Sequence, residues 1–197
     1  VGLVAHAPVR NSGTVGGSLA HADPAAELPA VALVLDAELV AAGPGGTRVI
    51  PAAGFFQGPY STALAPDEIL TEIRLPVWAG GHAFTEFSRV HANFAVVAVA
   101  ALVELDGDGD RIRRAALALA GVAPTPVRAG SAERALAGAP AAGAEALRAI
   151  RAAADAAAAD LSPAGDLHAS PQTRRGLTRT YLRRGIELAV SRARNER

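Results

Sequence analysis

Arg10-Asn-Ser-Gly-Thr-Val-Gly-Gly-Ser-Leu-Ala-His-Ala-Asp-Pro-Ala-Ala-Glu27 carries three glycines within five residues: Gly13, Gly16 and Gly17. Such a run lets the backbone approach a ligand closely and offers successive amide donors to phosphate. A plain Gly-rich turn has the same composition, so the residues alone leave both readings open. Two phosphate-loop types are excluded by spacing. There is no Gly-Lys-Ser/Thr of a Walker loop and no Gly-x-Gly-x-x-Gly of a dinucleotide fold. Downstream, Asp23 is placed to cap a helix over 24–35, with Pro24 in its first turn and Glu27 near its positive end.

Working outward, residues 1–78 mix Gly/Pro turns with short apolar runs. Leu39–Ala42 and Arg48–Pro51 flank Gly43-Pro-Gly-Gly46, a hairpin signal. In Ile69-Leu-Thr-Glu-Ile-Arg-Leu75, positions 69, 71, 73 and 75 alternate with 70, 72 and 74, which predicts a half-buried strand ended by Pro76. Trp78-Ala-Gly-Gly-His82 reads as a linker. Beyond it, 84–90, 94–105 and 112–122 predict two or three antiparallel strands. The segment from 129 to 164 is half alanine and predicts helices anchored by Leu136, Leu147, Ile150 and Leu161. Ser170 caps a last helix with a stripe of Leu177, Tyr181 and Leu182, continued by Ile186, Leu188 and Val190. Mixed sheet followed by helices predicts an α+β fold. Domains are expected at 1–78 and 82–195.

Composition removes several function classes. The 197 residues hold 19 acidic and 19 basic side chains, every basic one an Arg, so nothing favours nucleic acid or an anionic membrane as partner. There is no Cys, hence no disulfide, no thiolate zinc, no thiol nucleophile and no iron–sulfur ligand in this chain. The longest apolar runs, 28–35 and 94–103, are too short to span a bilayer. The first residues lack a basic region ahead of an apolar one, so no signal peptide is expected and the cytoplasm is the expected location. Asp106-Gly-Asp-Gly-Asp110 has Arg111 and Leu117 where a calcium loop needs Gly and Glu, and it reads as a hairpin turn. The five histidines show no metal-ligand spacing. His21 reads as a packing residue, and the Arg174–Arg184 cluster as one charged helix face.

The stretch from Asn11 to Pro29 closely resembles the second FAD-contacting segment of the flavoprotein subunits of molybdenum hydroxylases. The resemblance continues in Asp36-Ala-Glu-Leu-Val40, Phe55-Phe-Gln-Gly-Pro-Tyr60 and Leu64-Ala-Pro-Asp-Glu-Ile-Leu-Thr-Glu-Ile-Arg-Leu-Pro76. It resumes in Phe87-Ser-Arg89, Asn93-Phe-Ala-Val-Val97, Asp166-Leu-His-Ala-Ser170 and Arg174-Arg175. It runs in collinear order over nearly the whole chain.

This resemblance implies the second subdomain of a PCMH-type FAD domain at 1–78. A C-terminal domain of small antiparallel sheet and helices follows at 82–195. It implies that Thr14, Val15, Gly16, Gly17 and Ser18 lie along the FAD pyrophosphate and ribityl region. Glu27 takes the place of a carboxylate that contacts the adenosine part, and Leu70 resembles a backbone contact on the flavin side. Gly amides and the Thr14 and Ser18 hydroxyls suit phosphate oxygens, and a carboxylate suits ribose hydroxyls. No residue of the chain is assigned a catalytic or metal-binding role. Where the family carries a Lys near the start of the C-terminal domain's first strand, this chain has Thr85-Glu86.

The implied assembly joins this chain to an iron–sulfur small subunit with [2Fe-2S] clusters and a large subunit with the molybdenum cofactor, as a dimer of heterotrimers. A further subdomain of roughly 90–100 residues is expected ahead of Val1. The competing expectations are a flavin-free interaction subunit and an adenine-nucleotide-binding module without redox activity.

Overall fold

The computed structural model describes residues 2–90 and 93–195. The chain opens with α1 (Ala7–Ser12), α2 (Val15–His21) and α3 (Glu27–Val34). Next come β1 (Glu38–Gly43), β2 (Gly46–Pro51), α4 (Ala52–Phe55), β3 (Phe56–Gly58), β4 (Ser61–Thr62) and β5 (Ile69–Arg74). The second half contains β6 (Gly81–Phe87), β7 (Val97–Leu105), β8 (Ile112–Ala120) and β9 (Val127–Arg128). It ends in α5 (Gly130–Leu136), α6 (Gly143–Asp160) and α7 (Pro171–Asn195). The fold is α+β, as expected. Its sheets are an antiparallel β2-β1-β5, a two-stranded β3-β4 and an antiparallel β6-β7-β8-β9. Short β9 makes this last sheet four-stranded rather than the two or three strands expected.

Strand β7 explains why its sequence is a continuous apolar run. Val97, Val99, Ala101, Val103 and Leu105 face the core formed with α5, α6 and α7, while Ala98, Ala100 and Leu102 face α3. A strand buried on both faces has no polar side to show. Alanines at 98, 100, 116, 118 and 120 leave room for α3 to sit close on the sheet. Helix α3 is correspondingly apolar all round. Ala30, Leu33 and Val34 meet the four-stranded sheet, while Ala32 and Leu28 meet Leu19, Leu39, Ala41, Ile50 and Phe55 of the first core. A helix between two sheets needs no polar stripe.

Three local expectations change. Helix α3 starts at Glu27, not Pro24, and its N-cap Ala26 provides no side-chain bond. Asp23 instead closes a turn, with Oδ1 accepting from the Ala25 amide at 2.8 Å and its carbonyl from the Ala26 amide at 3.1 Å. The later start puts Pro29 in the first turn, where no amide is needed; a start at Pro24 would put it in the helix interior.

Strand β5 does not keep strict alternation. A bulge places Leu70 opposite Ala41 but Glu72 opposite Val40, so Thr71 is the extra residue, and its hydroxyl donates to the Val40 carbonyl at 3.1 Å. Leu70 and Ile73 therefore share the buried face, and Ile69 is 67% exposed. Third, α6 buries Ala146, Ile150, Ala153, Ala154, Ala157 and Ala158, a stripe from which the adjacent Leu147 points away.

Candidate functional site

The glycine-rich run folds as the first turn of a helix. Thr14 is extended (φ −123°, ψ 154°) and caps α2, its Oγ1 accepting from the Gly17 amide at 2.9 Å. The Ser18 amide donates to the Thr14 carbonyl at 3.1 Å. The amides of Val15 and Gly16, in the first turn, point to the helix's open, positive end. Leu19, buried against the first core, holds α2 in place from behind. Left-handed Ala22 (φ 52°) ends the helix.

The two glycines have different reasons to be glycine. A Cβ on Gly17 would lie 2.8 Å from Thr14 Oγ1, so the cap itself demands the small residue. A Cβ on Gly16 would meet only Leu70 Cδ2, at 3.9 Å, which is ordinary contact. Nothing in the fold requires glycine at position 16. The same contact sets Leu70 of β5 directly beneath the start of α2.

Several side chains steady this region. Arg48 forks onto Glu68 with two bonds of 2.7 Å and donates to the Ala63 carbonyl at 2.6 Å, fixing the loop that leads into β5. The guanidinium, followed by the Ala65 amide, lowers the Glu68 carboxyl to about 2. His21 packs on Tyr60 with ring centres 5.0 Å apart, the packing role expected for it. The Tyr60 hydroxyl reaches Asp23 Oδ2 at 3.4 Å.

Glu27 stands apart from the loop, as the first residue of α3. Its carboxylate acts on Glu86 of β6, a residue the sequence marked only as a departure from the family pattern. Glu86 Oε2 is buried without a hydrogen-bond partner. Burial, then the charge of Glu27, pushes this carboxyl up to about 7. Spacing gives no signal that the two act on each other, because 59 positions and six secondary elements separate the residues.

Elsewhere, Arg174 corrects the expectation of a uniformly charged helix face. It is 7% exposed, and its guanidinium donates to the Val96 and Gly121 carbonyls at 2.6 Å and to Asp166 at 2.5 Å. Asp166 Oδ1 also accepts from the His168 and Ala169 amides. The segment 166–170 is thus a tether for α7. Asp106 Oδ1 accepts from the amides of Gly109, Asp110 and Arg111, a hairpin turn as expected. Among the described residues, no group of three or more His, Asp or Glu could hold a metal ion, and no helix is long and apolar enough to cross a membrane.

Comparison with known proteins gives matches to both halves. Residues 1–78 match the FAD binding domain in molybdopterin dehydrogenase, and residues 82–189 match the CO dehydrogenase flavoprotein C-terminal domain. The 6-hydroxypseudooxynicotine dehydrogenase complex subunit alpha of Paenarthrobacter nicotinovorans is 38% identical over 97% of this chain and 64% of its own length. The carbon monoxide dehydrogenase medium chain of Hydrogenophaga pseudoflava is 35% identical over 96% of this chain and 65% of its own.

A solved structure of carbon monoxide dehydrogenase from Hydrogenophaga pseudoflava superposes with a TM-score of 0.90 at 36% identity, covering 97% of this chain and 65% of that one. Quinoline 2-oxidoreductase from Pseudomonas putida 86 gives 0.89 at 34% identity, covering 96% and 64%. The chain spans just under two thirds of the length of these relatives.

Proposed function

The chain belongs to the FAD-binding medium-subunit family of the molybdenum hydroxylases, and on that premise we propose that it holds FAD for electron transfer within a larger oxidoreductase. The observation that carries this reading is the open first turn of α2. Two first-turn amide positions, a capping threonine and a glycine without structural need meet there, the glycine over Leu70. A pyrophosphate suits that turn, since backbone donors at a helix start favour anionic oxygen. The residues present fit the cofactor. Val15 and Gly16 would donate from their amides, Ser18 from its hydroxyl, and Thr14 would keep the turn in shape. Gly17 would let the cap close. Leu70 would support the loop and face the flavin side. Glu27 would accept hydrogen bonds from ribose hydroxyls.

Bound FAD would supply the redox chemistry. The chain's own part is to bind, orient and set the local charge, and no side chain of it acts as an acid or base. In this reading residues 1–78 are the second FAD subdomain and 82–195 the C-terminal domain. The partners are an iron–sulfur subunit with [2Fe-2S] clusters and a molybdenum-binding large subunit, in a cytoplasmic dimer of heterotrimers. In such an assembly FAD held by this chain would take electrons from the partner's iron–sulfur clusters and pass them to a terminal acceptor.

The test is FAD titration, followed by flavin fluorescence. One sample is the 197-residue chain; the other is a chimera adding the portion of the Hydrogenophaga medium chain that it does not cover. Binding is expected, and Gly16→Val is expected to weaken it at least tenfold while leaving thermal stability unchanged. Protein that stays colourless in both formats overturns the reading in favour of a flavin-free interaction subunit. Binding of ADP but not of FAD would favour a bare nucleotide module.

A further inference from the structure

A cavity of about 430 Å³ lies where the two halves of the chain meet, and none of the residues assigned above to FAD lines it. The first half contributes Pro59 and the turn Asp23-Pro24-Ala25, which follows the C-terminal end of α2, opposite its open first turn. The second half contributes the loops before β7, after β8 and before α7.

The floor is rigid because its polar groups satisfy one another. Val96, Gly121, Asp166 and Arg174 all line the cavity, and the guanidinium joins the other three through bonds of 2.6, 2.6 and 2.5 Å. The first-half wall is fixed in the same way. The Gly121 amide donates to the Pro24 carbonyl at 2.8 Å, and Asp23 accepts from the Ala25 amide on Oδ1 and from the Tyr60 hydroxyl on Oδ2. A pocket held like this is preformed, and its volume suits a small organic ligand.

The groups left over are apolar or cationic. Pro24, Pro59 and Pro124 put three rings on the lining, and Phe94 adds an aromatic ring that is 64% exposed. Leu167, between the lining residues Asp166 and His168, is 96% exposed. Apolar side chains in water beside a concave site mark a surface that binds something. Among the charged lining residues, Asp166 is offset by Arg174, and both Asp23 oxygens have donors within the chain. Arg89 is the exception: among the described residues no ion pair or hydrogen bond holds its guanidinium. Asn93 Oδ1 accepts from the Phe94 amide at 2.8 Å, which leaves the Asn93 side-chain nitrogen as a second donor on the same cavity.

We propose that this cavity binds a flat aromatic carboxylate, with its rings against Phe94 and the prolines and its carboxylate on Arg89 and Asn93. A planar guanidinium matches a carboxylate in a two-bonded fork. A purely apolar ligand would cover that cation without pairing it, at a desolvation cost. A small inorganic anion would leave the ring surface in water. The site does not rest on the function proposed above.

The test is titration of the 197-residue chain with 2-naphthoate, followed by calorimetry and amide NMR shifts. Beside it run 2-naphthol, which has the rings without the charge, and acetate, which has the charge without the rings. A Kd of about 1 mM or tighter is expected for naphthoate, an ordinary affinity for so small a ligand. Its shifts should concentrate at residues 23–25, 93–96 and 121–123. Naphthol and acetate should each bind about tenfold more weakly, since each lacks one of the two contacts. Arg89 and Phe94 are exposed, so Arg89→Gln and Phe94→Ala should fold as the parent does, and each should weaken naphthoate about tenfold. Arg148→Gln, on the exposed side of α6, should not weaken it. Saturating FAD should leave naphthoate binding intact. No naphthoate binding up to about 10 mM overturns the proposal and gives the cavity to a side chain of a protein partner. Acetate binding as tightly as naphthoate, or a Kd that Arg89→Gln leaves in place, also overturns it. Displacement of naphthoate by FAD makes the cavity part of the cofactor site and overturns a separate one. Failure of FAD to bind at all overturns the cofactor reading alone and leaves this site standing.

Discussion

Replacing Arg174 with Met should unfold the second half of the molecule more readily than any surface arginine change. The side chain is 93% shielded, and its guanidinium joins the end of β7 through the Val96 carbonyl, the end of β8 through the Gly121 carbonyl, and the loop before α7 through Asp166. Met fills most of the volume but donates nothing. Two carbonyls then lose their donor, at about 1–2 kcal/mol each for acceptors in a poorly hydrated site.

The Asp166 carboxylate is 45% exposed, so water replaces much of what it loses; its pair adds about 0.5 kcal/mol. The total is about 2.5–4.5 kcal/mol, or roughly 5–18 °C in Tm for a chain of this size. Arg174→Lys keeps the charge but not the planar fork. It cannot serve two carbonyls and a carboxylate together, so a loss of about half that is expected. Thermal unfolding by circular dichroism, with Arg148→Met as the exposed control, provides the measurement. An Arg174→Met protein within about 1 kcal/mol of the parent would refute the reasoning, since a buried charged hub cannot be that replaceable.

A Cβ on Gly81 would lie 1.9 Å from the Ala189 carbonyl oxygen and 2.3 Å from the Ala193 amide. Gly81→Ala must therefore push α7 off β6, and an overpacking loss of about 3 kcal/mol is expected in chemical denaturation. Gly176→Ala, in the same helix with nothing within 4 Å of the new atom, should instead gain about 0.5–1 kcal/mol. If both variants shift alike, the close approach at Gly81 is wrong.

The Arg48–Glu68 fork has an acid signature. Glu68 is lowered from 4.5 to about 2, so its contribution is complete above the unfolded value and is lost as pH falls through 4.5 toward 2. Arg48→Ala should flatten stability over that interval and leave it parallel to the parent above it. Unchanged acid unfolding in Arg48→Ala would remove the fork from the account.

What the sequence shows depends on whether a signal is local. The hairpin at 43–46 is legible because paired glycines and flanking apolar runs suffice to define it, and β1 and β2 pair with Gly43 opposite Gly46. Most of the run from 94 to 105 is legible as strand, β7 beginning at Val97, but its double burial is not, since that depends on α3 arriving from residues 27–34. Strict alternation misplaces Ile69 because a bulge is set by the partner strand: Val40 supplies the acceptor that holds Thr71 out of register.

The site divides the same way. Thr14 through Ser18 are contiguous, so their joint role in one turn can be read along the chain. That Leu70 lies beneath Gly16 cannot be read from spacing; the resemblance marks Leu70 only as a backbone contact on the flavin side, and the structure supplies the proximity. Arg174 was invisible for the opposite reason. In a helix that also carries Arg175, Arg179, Arg183 and Arg184, nothing in the pattern distinguishes the one guanidinium that turns inward. Its acceptors are carbonyls of Val96 and Gly121, groups every residue has. Glu86 combines both difficulties, with a partner that is remote and a defining feature that is the lack of any donor. A departure from the family pattern points at the residue, and only the folded chain shows its carboxyl oxygen buried without a donor.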